Sequence, residues 1–176
     1  MVIAETRRAY TYLCLYGYPV DAVIVNRLLP EEVGSYLERW REVQEENLRT
    51  IEESFKGLPI MKVPMLRDEL IGQVRLKEVA SILYGKRDPA EIFVKERPFQ
   101  VVREAEDGRV TLRLKAPFLQ KEDIQLLNRG GILVIEASNW RRIFTLPETL
   151  IDYEPIGAAF DEGCLSIFLE EPQGQS

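Results

Sequence analysis

The sequence predicts a two-part chain, an α/β layered unit followed by a small all-β sandwich. Apolar residues up to Gly85 recur at helical spacing, interrupted by short solid apolar runs, whereas beyond Pro98 they alternate with a period of two. Glycine and proline punctuate both parts at the expected ends of elements. The change of period predicts an α/β segment over residues 1–88, a linker over 89–98, a sandwich over 99–172 and a tail over 173–176.

Residues 2–16 predict a helix, with Val2, Ala9, Leu13 and Tyr16 near a 3.6 spacing and Gly17 placed to cap its end. Val20 to Leu29 contains a β-branched run suited to a strand covered on both faces, and Pro30 ends it. A long helix is expected from about Glu31 to Phe55. Its stripe is Val33, Leu37, Trp40, Val43, Leu48, Ile51 and Phe55, which makes Trp40 a core residue, and Gly57 closes it. Leu58 to Leu66 reads as a second short strand, broken by Pro64. Residues 68–84 read as a third helix, with Ile71, Val74, Val79, Ile82 and Leu83 on one side and Gly85 as its stop. Helix–strand–helix–strand–helix is the alternation of a parallel sheet with crossover helices. Two strands leave such a sheet uncovered, so the pattern reads as the last third of a larger doubly wound domain.

From Phe99 onward, Val110, Leu112, Leu114 and Ala116 alternate with Arg109, Thr111, Arg113 and Lys115. Leu133, Ile135 and Ala137 form a second alternating set, and Leu165, Ile167 and Leu169 a third. Turn signals fall at Asp107-Gly108, Pro117, Gly130-Gly131, Pro147, Pro155 and Gly163. Six or seven short strands in about 75 residues describe a sandwich.

Composition excludes several classes of function. The chain contains no histidine, so Ser-His and Cys-His nucleophile pairs are impossible. Two distant cysteines, Cys14 and Cys164, each in apolar surroundings, read as free buried thiols rather than a disulfide or a zinc site. No pair of carboxylates marks an acid–base centre. The net charge of −6 and pI near 5.0 argue against a nucleic-acid partner. The basic pairs Arg7-Arg8 and Arg141-Arg142 read as solvated edges, and the tyrosines at 10, 12, 16 and 18 as packed residues with rim hydroxyls. Trp140, at a strand start, reads as a rim residue. No apolar run approaches the roughly 20 residues needed to span a bilayer, and no signal peptide opens the chain, so a cytoplasmic protein is expected.

The second half resembles the α-crystallin domain of small heat-shock proteins. The resemblance rests on Leu112-Arg-Leu-Lys-Ala-Pro117 with Lys121-Glu-Asp-Ile124, on Gly131-Ile-Leu-Val-Ile-Glu136, on Phe144-Thr-Leu-Pro147 and on Ala158-Ala-Phe-Asp-Glu-Gly163-Cys-Leu165. The chain departs from that family where it ends in Glu-Pro-Gln-Gly-Gln-Ser instead of an I-x-I tail. An α/β segment also stands in place of the client-binding arm.

The first half resembles the C-terminal region of the ArsA-type ATPases, the arsenite-pump and tail-anchored-protein-targeting family. Glu5-Thr-Arg-Arg8 is similar to that family's "ETxR" helix. Val20-Asp-Ala-Val-Ile-Val-Asn26-Arg-Leu-Leu-Pro30 is similar to its strand end, and Lys62-Val-Pro64-Met-Leu-Arg-Asp-Glu69 with Ile71-Gly72 to its Pro-containing loop. The resemblance implies a partial P-loop-NTPase-type unit. It also implies that Asn26 hydrogen-bonds an adenine edge while Pro64 and Met65 cover the base. An amide offers both donor and acceptor to a purine, and apolar loop atoms exclude water from its faces. Two ordinary readings stay open beside this one: Asn after a strand is a common turn residue, and a loop proline needs no ligand.

The resemblance implies ATP or ADP with Mg²⁺ as the cofactor of the parent family. No G-x-x-x-x-G-K-[ST] occurs in this chain, so no catalytic residue and no metal ligand is assigned, and tight nucleotide binding or hydrolysis by the chain alone is not expected. The metalloid site of arsenite pumps uses cysteines and histidine, and no such cluster occurs, which argues against arsenite as cargo. The favoured expectation is a C-terminal piece of an ArsA-like ATPase, carrying an adenine-side wall and a crystallin-like interaction module. One alternative is a free-standing small-heat-shock-like binding protein whose α/β segment drives oligomerisation. Another is an ATPase completed in trans by a separate P-loop polypeptide. The uncovered strands and apolar faces predict a homodimer or higher oligomer, with a protein client as a further partner.

Overall fold

The structure is a computed structural model and describes residues 1–32, 34–103, 109–129, 132–137 and 140–171. In chain order the elements are α1 (Val2–Leu15), β1 (Val23–Leu28), α2 (Glu38–Ser54), β2 (Ile60–Pro64), α3 (Gly72–Tyr84), β3 (Phe99–Arg103), β4 (Val110–Lys115), β5 (Ile124–Arg129), β6 (Ile132–Ala137), β7 (Trp140–Thr145), β8 (Glu154–Asp161) and β9 (Cys164–Glu170). Met1–Pro19 and Glu96–Ser176 form one compact unit, and Val20–Lys95 forms the other.

In the first unit, two antiparallel sheets enclose one core. The four-stranded sheet has the order β3-β4-β9-β8 and the three-stranded sheet the order β5-β6-β7. Leu112 lies opposite Ile167 and Leu114 opposite Leu165, so their side chains share the inner face. From the other sheet, Leu133 lies opposite Phe144 on the facing layer. The inward positions of β4, β6 and β9 are nearly solvent-free, as their alternation predicts. Each such side chain stabilises the fold by about 1.5–3 kcal/mol relative to exposure. The result is the crystallin-like β-sandwich that the period-two pattern describes. The expected turns at Asp107-Gly108 and Gly130-Gly131, the Val33 position of the long-helix stripe, the Ala137 side chain and the 173–176 tail lie outside the described residues.

Helix α1 packs in this sandwich unit, although its position in the chain groups it with the α/β half. The buried face also differs from the predicted stripe. Tyr10, Thr11, Cys14 and Leu15 are buried, whereas Val2, Leu13 and Tyr16 are exposed. Leu15 joins the sandwich core itself. The capping expectation was sound in its chemistry. Gly17 adopts φ +79°, its N–H donates to the Cys14 carbonyl at 2.9 Å, and the Tyr18 N–H donates to the Leu13 carbonyl at 2.8 Å, a Schellman pair.

Three further readings are corrected in this unit. Trp140 is 6% exposed and belongs to the core, because β7 turns it inward against Tyr16, whose ring stands edge-on at 6.0 Å. Arg142 is not a solvated edge: its guanidinium donates to the Leu15 carbonyl oxygen and lies 4.1 Å from the centre of the Phe144 ring. Arg7 likewise covers the Phe118 ring.

The second unit is sparse. β1 and β2 pair in parallel, with Val23 opposite Ile60 and Ile24 opposite Met61. Phe55, Leu58, Met61 and Val63 are buried, but no residue of α2 or α3 is. Trp40, expected in the core, is 65% exposed, because nothing in the unit covers the outer half of its helix stripe. Ile71 and Val74 are 73% and 81% exposed for the same reason. The Asp21 carboxylate accepts a hydrogen bond from the Val94 N–H at 2.8 Å and so ties the two ends of the unit together.

Candidate functional site

The parallel strands end side by side, and their carboxyl ends open into a cleft. β1 pairs in step with β2 from Val23 to Val25, loses register, and resumes with Leu28 opposite Pro64. Asn26 and Arg27 occupy this irregularity, and Arg27 takes φ +59°, a conformation rare for a residue with a side chain. Its N–H donates to the Asn26 Oδ1 at 2.8 Å, which fixes the amide against its own backbone. On the neighbouring strand, the Met65 N–H donates to the Leu28 carbonyl at 2.7 Å, holding the chain after Pro64 against the end of β1.

These two backbone devices bring Asn26, Pro64 and Met65 to one cleft of about 450 Å³, lined also by Arg27, Val63 and residues 66–70. The volume lies within the usual range for small-molecule sites. The crevice beyond the carboxyl ends of parallel strands is also where open α/β sheets bind ligands. Met65 lines the cleft and is 55% exposed. Asp68 of the lining pairs with Arg75, which also donates to Glu78 at 3.0 Å, and this hydrogen bond to Glu78 is the first cause of the raised Arg75 pKa.

The lining of this cleft combines one side-chain amide with apolar cover and a few charged groups. Asn26 keeps its amide nitrogen without a protein partner among the described residues, and Pro64 and Met65 supply apolar cover. The cleft has no glycine-rich backbone cradle and no lysine among its lining residues. The ionisable side chains at its rim are two arginines and two carboxylates, a balanced set that gives no net pull on polyanionic phosphate. Among the described residues, no group of three metal-ligating side chains stands together.

A second groove, of about 490 Å³, runs between β1 and α2 and is lined by Val25, Leu28, Leu37, Trp40, Val43 and Leu48 among others. Gln44 organises it. Its side-chain oxygen accepts from the Leu29 N–H at 2.8 Å, capping the strand end that Pro30 leaves unpaired. Gln44 carried no periodic signal, and only its helix position beside Leu29 reveals the role. Among the described residues no helix is long and apolar enough to cross a membrane. Both cysteines are free; Cys14 is buried and Cys164 half-buried, and burial raises the pKa of each thiol.

Comparison with known proteins divides the chain along the same lines. Residues 1–85 match the family model of the anion-transporting ATPases, and residues 107–169 match the HSP20-like domain found in ArsA. An Aquifex aeolicus protein named "Putative arsenical pump-driving ATPase 1" is 38% identical over 96% of this chain and 43% of its own length. A Chlorobaculum tepidum protein named "Putative arsenical pump-driving ATPase" is 41% identical over 99% of this chain and 43% of its own length. The chain therefore spans less than half the length of these curated relatives. Among solved structures, a small heat shock protein from Synechococcus phage S-ShM2 aligns over 45% of this chain and 92% of its own, with TM-score 0.34 and 17% identity. Both matches stand in order along one polypeptide: a segment that matches the anion-transporting ATPases, followed by one that matches the HSP20-like domain found in ArsA.

Proposed function

We propose that this chain contributes the adenine-side wall of an ArsA-like nucleotide site, together with a crystallin-like interaction module, and is not catalytically complete by itself. The observation that supports this reading is the meeting of Asn26, Pro64 and Met65 in one cleft at the carboxyl ends of two parallel strands. ATP with Mg²⁺ would supply the reactive phosphoanhydride. The chain's own residues do only recognition: Asn26 donates from its amide nitrogen to the base edge, while Pro64 and Met65 exclude water from the ring faces. Without phosphate ligands the main electrostatic contribution to hydrolysis is missing.

The relatives' names point to arsenical pumps, but this chain offers no soft-ligand cluster for a metalloid, so a protein client or a separate P-loop subunit fits better as partner. The bare apolar faces of α2 and α3 favour a homo-oligomer. NMR titration of the 176-residue chain with ADP tests the reading. Shifts of the Asn26 side-chain amide and the Met65 methyl, saturating near about 1 mM and abolished in Asn26→Ala, are expected. Micromolar affinity with ATP turnover, or shifts that bypass the cleft, would reject it.

A second reading, a free-standing chaperone-like binder, draws on the outer face of the three-stranded sheet. There Leu127, Val134 and Ile143 lie opposite one another across β5, β6 and β7, and Leu127 and Ile143 are 43% and 59% exposed. Stoichiometric suppression of client aggregation, lost in Ile143→Ser, would favour it.

A further inference from the structure

Helix α1 carries sequence of one family and packs as part of the other. The ATPase family match runs over residues 1–85 and so includes all of α1. Yet α1 buries Tyr10, Thr11, Cys14 and Leu15 within the sandwich unit. Leu15 is 1% exposed and shares a cluster with inward residues of β4, β6 and β9. The contact is also polar and specific. The Thr11 hydroxyl donates to the Pro117 carbonyl, just beyond the end of β4. Arg142 of β7 donates to the Leu15 carbonyl, one of the last carbonyls that α1 cannot satisfy internally. Tyr10 meets Phe118 edge-on at 6.4 Å, and Tyr16 meets Trp140. The helix and its C-terminal cap thus touch the loop after β4 and the edge strand β7 of the three-stranded sheet at once.

We propose that α1 is a coupling element: a helix of ATPase-type sequence built into the sandwich's cooperative fold, so that it cannot leave without opening the core. A surface helix held by packing alone would peel off independently, as low-stability segments do. Here the polar ties are made by buried or half-buried groups, and separation would leave the Leu15 and Pro117 carbonyls and the Arg142 guanidinium without these partners. The sandwich surface is thereby a receptor for an amphipathic helix that presents a leucine and a capped carbonyl at its C-terminal end.

Hydrogen exchange with mass spectrometry on the full 176-residue chain tests this. Amides of Tyr12–Leu15 should share the slowest exchange class with those of β4, β6 and β9. Leu15→Ala should accelerate both groups by the same factor, about tenfold or more, given the usual cost of a buried Leu truncation. Amides of β1 and β2 should keep their wild-type rates. Should Leu15→Ala not fold, Thr11→Val, which keeps the shape and removes the donor, should give a smaller but equal acceleration in both groups. Fast exchange of α1 over a protected sandwich, or acceleration confined to α1 in either variant, would overturn the proposal.

Discussion

The Arg142 guanidinium donates a hydrogen bond to the Leu15 carbonyl oxygen, joining residues 127 positions apart in the chain. It completes the C-terminus of α1, where unpaired carbonyls carry the negative end of the helix dipole. A Cβ at Gly17 would meet both terminal guanidinium nitrogens at 3.5 Å, an ordinary contact, so it is the φ of +79° rather than space that calls for glycine there. Partial desolvation lowers the pKa of Arg142, but the group stays charged at any physiological pH.

Arg142→Ala should therefore destabilise the sandwich unit by about 1–3 kcal/mol, the cost of leaving a partly buried acceptor unmet. Arg142→Lys should recover part of this, since an ammonium can reach the carbonyl but cannot stack on Phe144 as a plane. Urea denaturation followed by far-UV circular dichroism reads both values. Equal stability of the alanine variant and the wild type would contradict the cap.

Two glycines in the same backbone region should respond differently to alanine. Gly163 has φ +74°, and a Cβ would stand 3.1 Å from the Pro117 Cα, a backbone atom held by the Ala116–Gly163 hydrogen bond of 2.7 Å. Gly57 has φ +88° with nothing within 4 Å. Gly57→Ala should cost only the conformational strain, about 1–2 kcal/mol, and Gly163→Ala measurably more. Thermal melts of the two variants under one buffer compare them.

Alkaline pH should weaken the sandwich unit specifically. Burial raises the pKa of Tyr10 and of Cys14, whose hydroxyl and thiol are hydrogen-bonded to each other. Because the folded-state values lie above the unfolded ones, the stabilisation is complete below the unfolded pKa values, about 8.5 for Cys and 10 for Tyr. It is then lost as pH rises toward the folded values, at no more than about 1.4 kcal/mol per pH unit for each group. Denaturation midpoints at pH 8 and pH 10.5 should differ in the wild type and differ less in Tyr10→Phe/Cys14→Ala, where only the Cys164 thiol, also raised by burial, still contributes.

Trp40→Ser should change association more than stability. At 65% exposure the indole contributes little burial within the chain, but it projects beside the groove formed with β1. Sedimentation velocity across a concentration series should show a smaller average mass for the variant, with an unchanged melting temperature. A drop in melting temperature with no change in mass would mean that Trp40 is buried within one chain after all.

Much of the candidate site was legible because short-range chemistry builds it. A β-branched run followed by Asn26, and a second run broken by Pro64, predict two strand ends. Parallel pairing then brings Pro64 and Met65 beside Asn26. The left-handed Arg27 and the role of Gln44 were not legible, since neither a register shift nor a helix-to-strand amide contact leaves a periodic trace.

The sequence by itself determined the change from helical to alternating period, the strands whose inward residues fill the sandwich, the glycine caps and the lack of a phosphate loop. Each of these is local, written in spacing or in residue type. Only the tertiary structure decided where α1 packs, that Trp140 is core and Trp40 is not, and that Arg142 caps a helix. Periodicity tells which side chains share a face, but not which surface that face meets. The helix stripe through Leu13 and Tyr16 was apolar enough to pass for the buried one. The sandwich selected the other face, because there Leu15 fills the core while Thr11 and the last carbonyl find their partners.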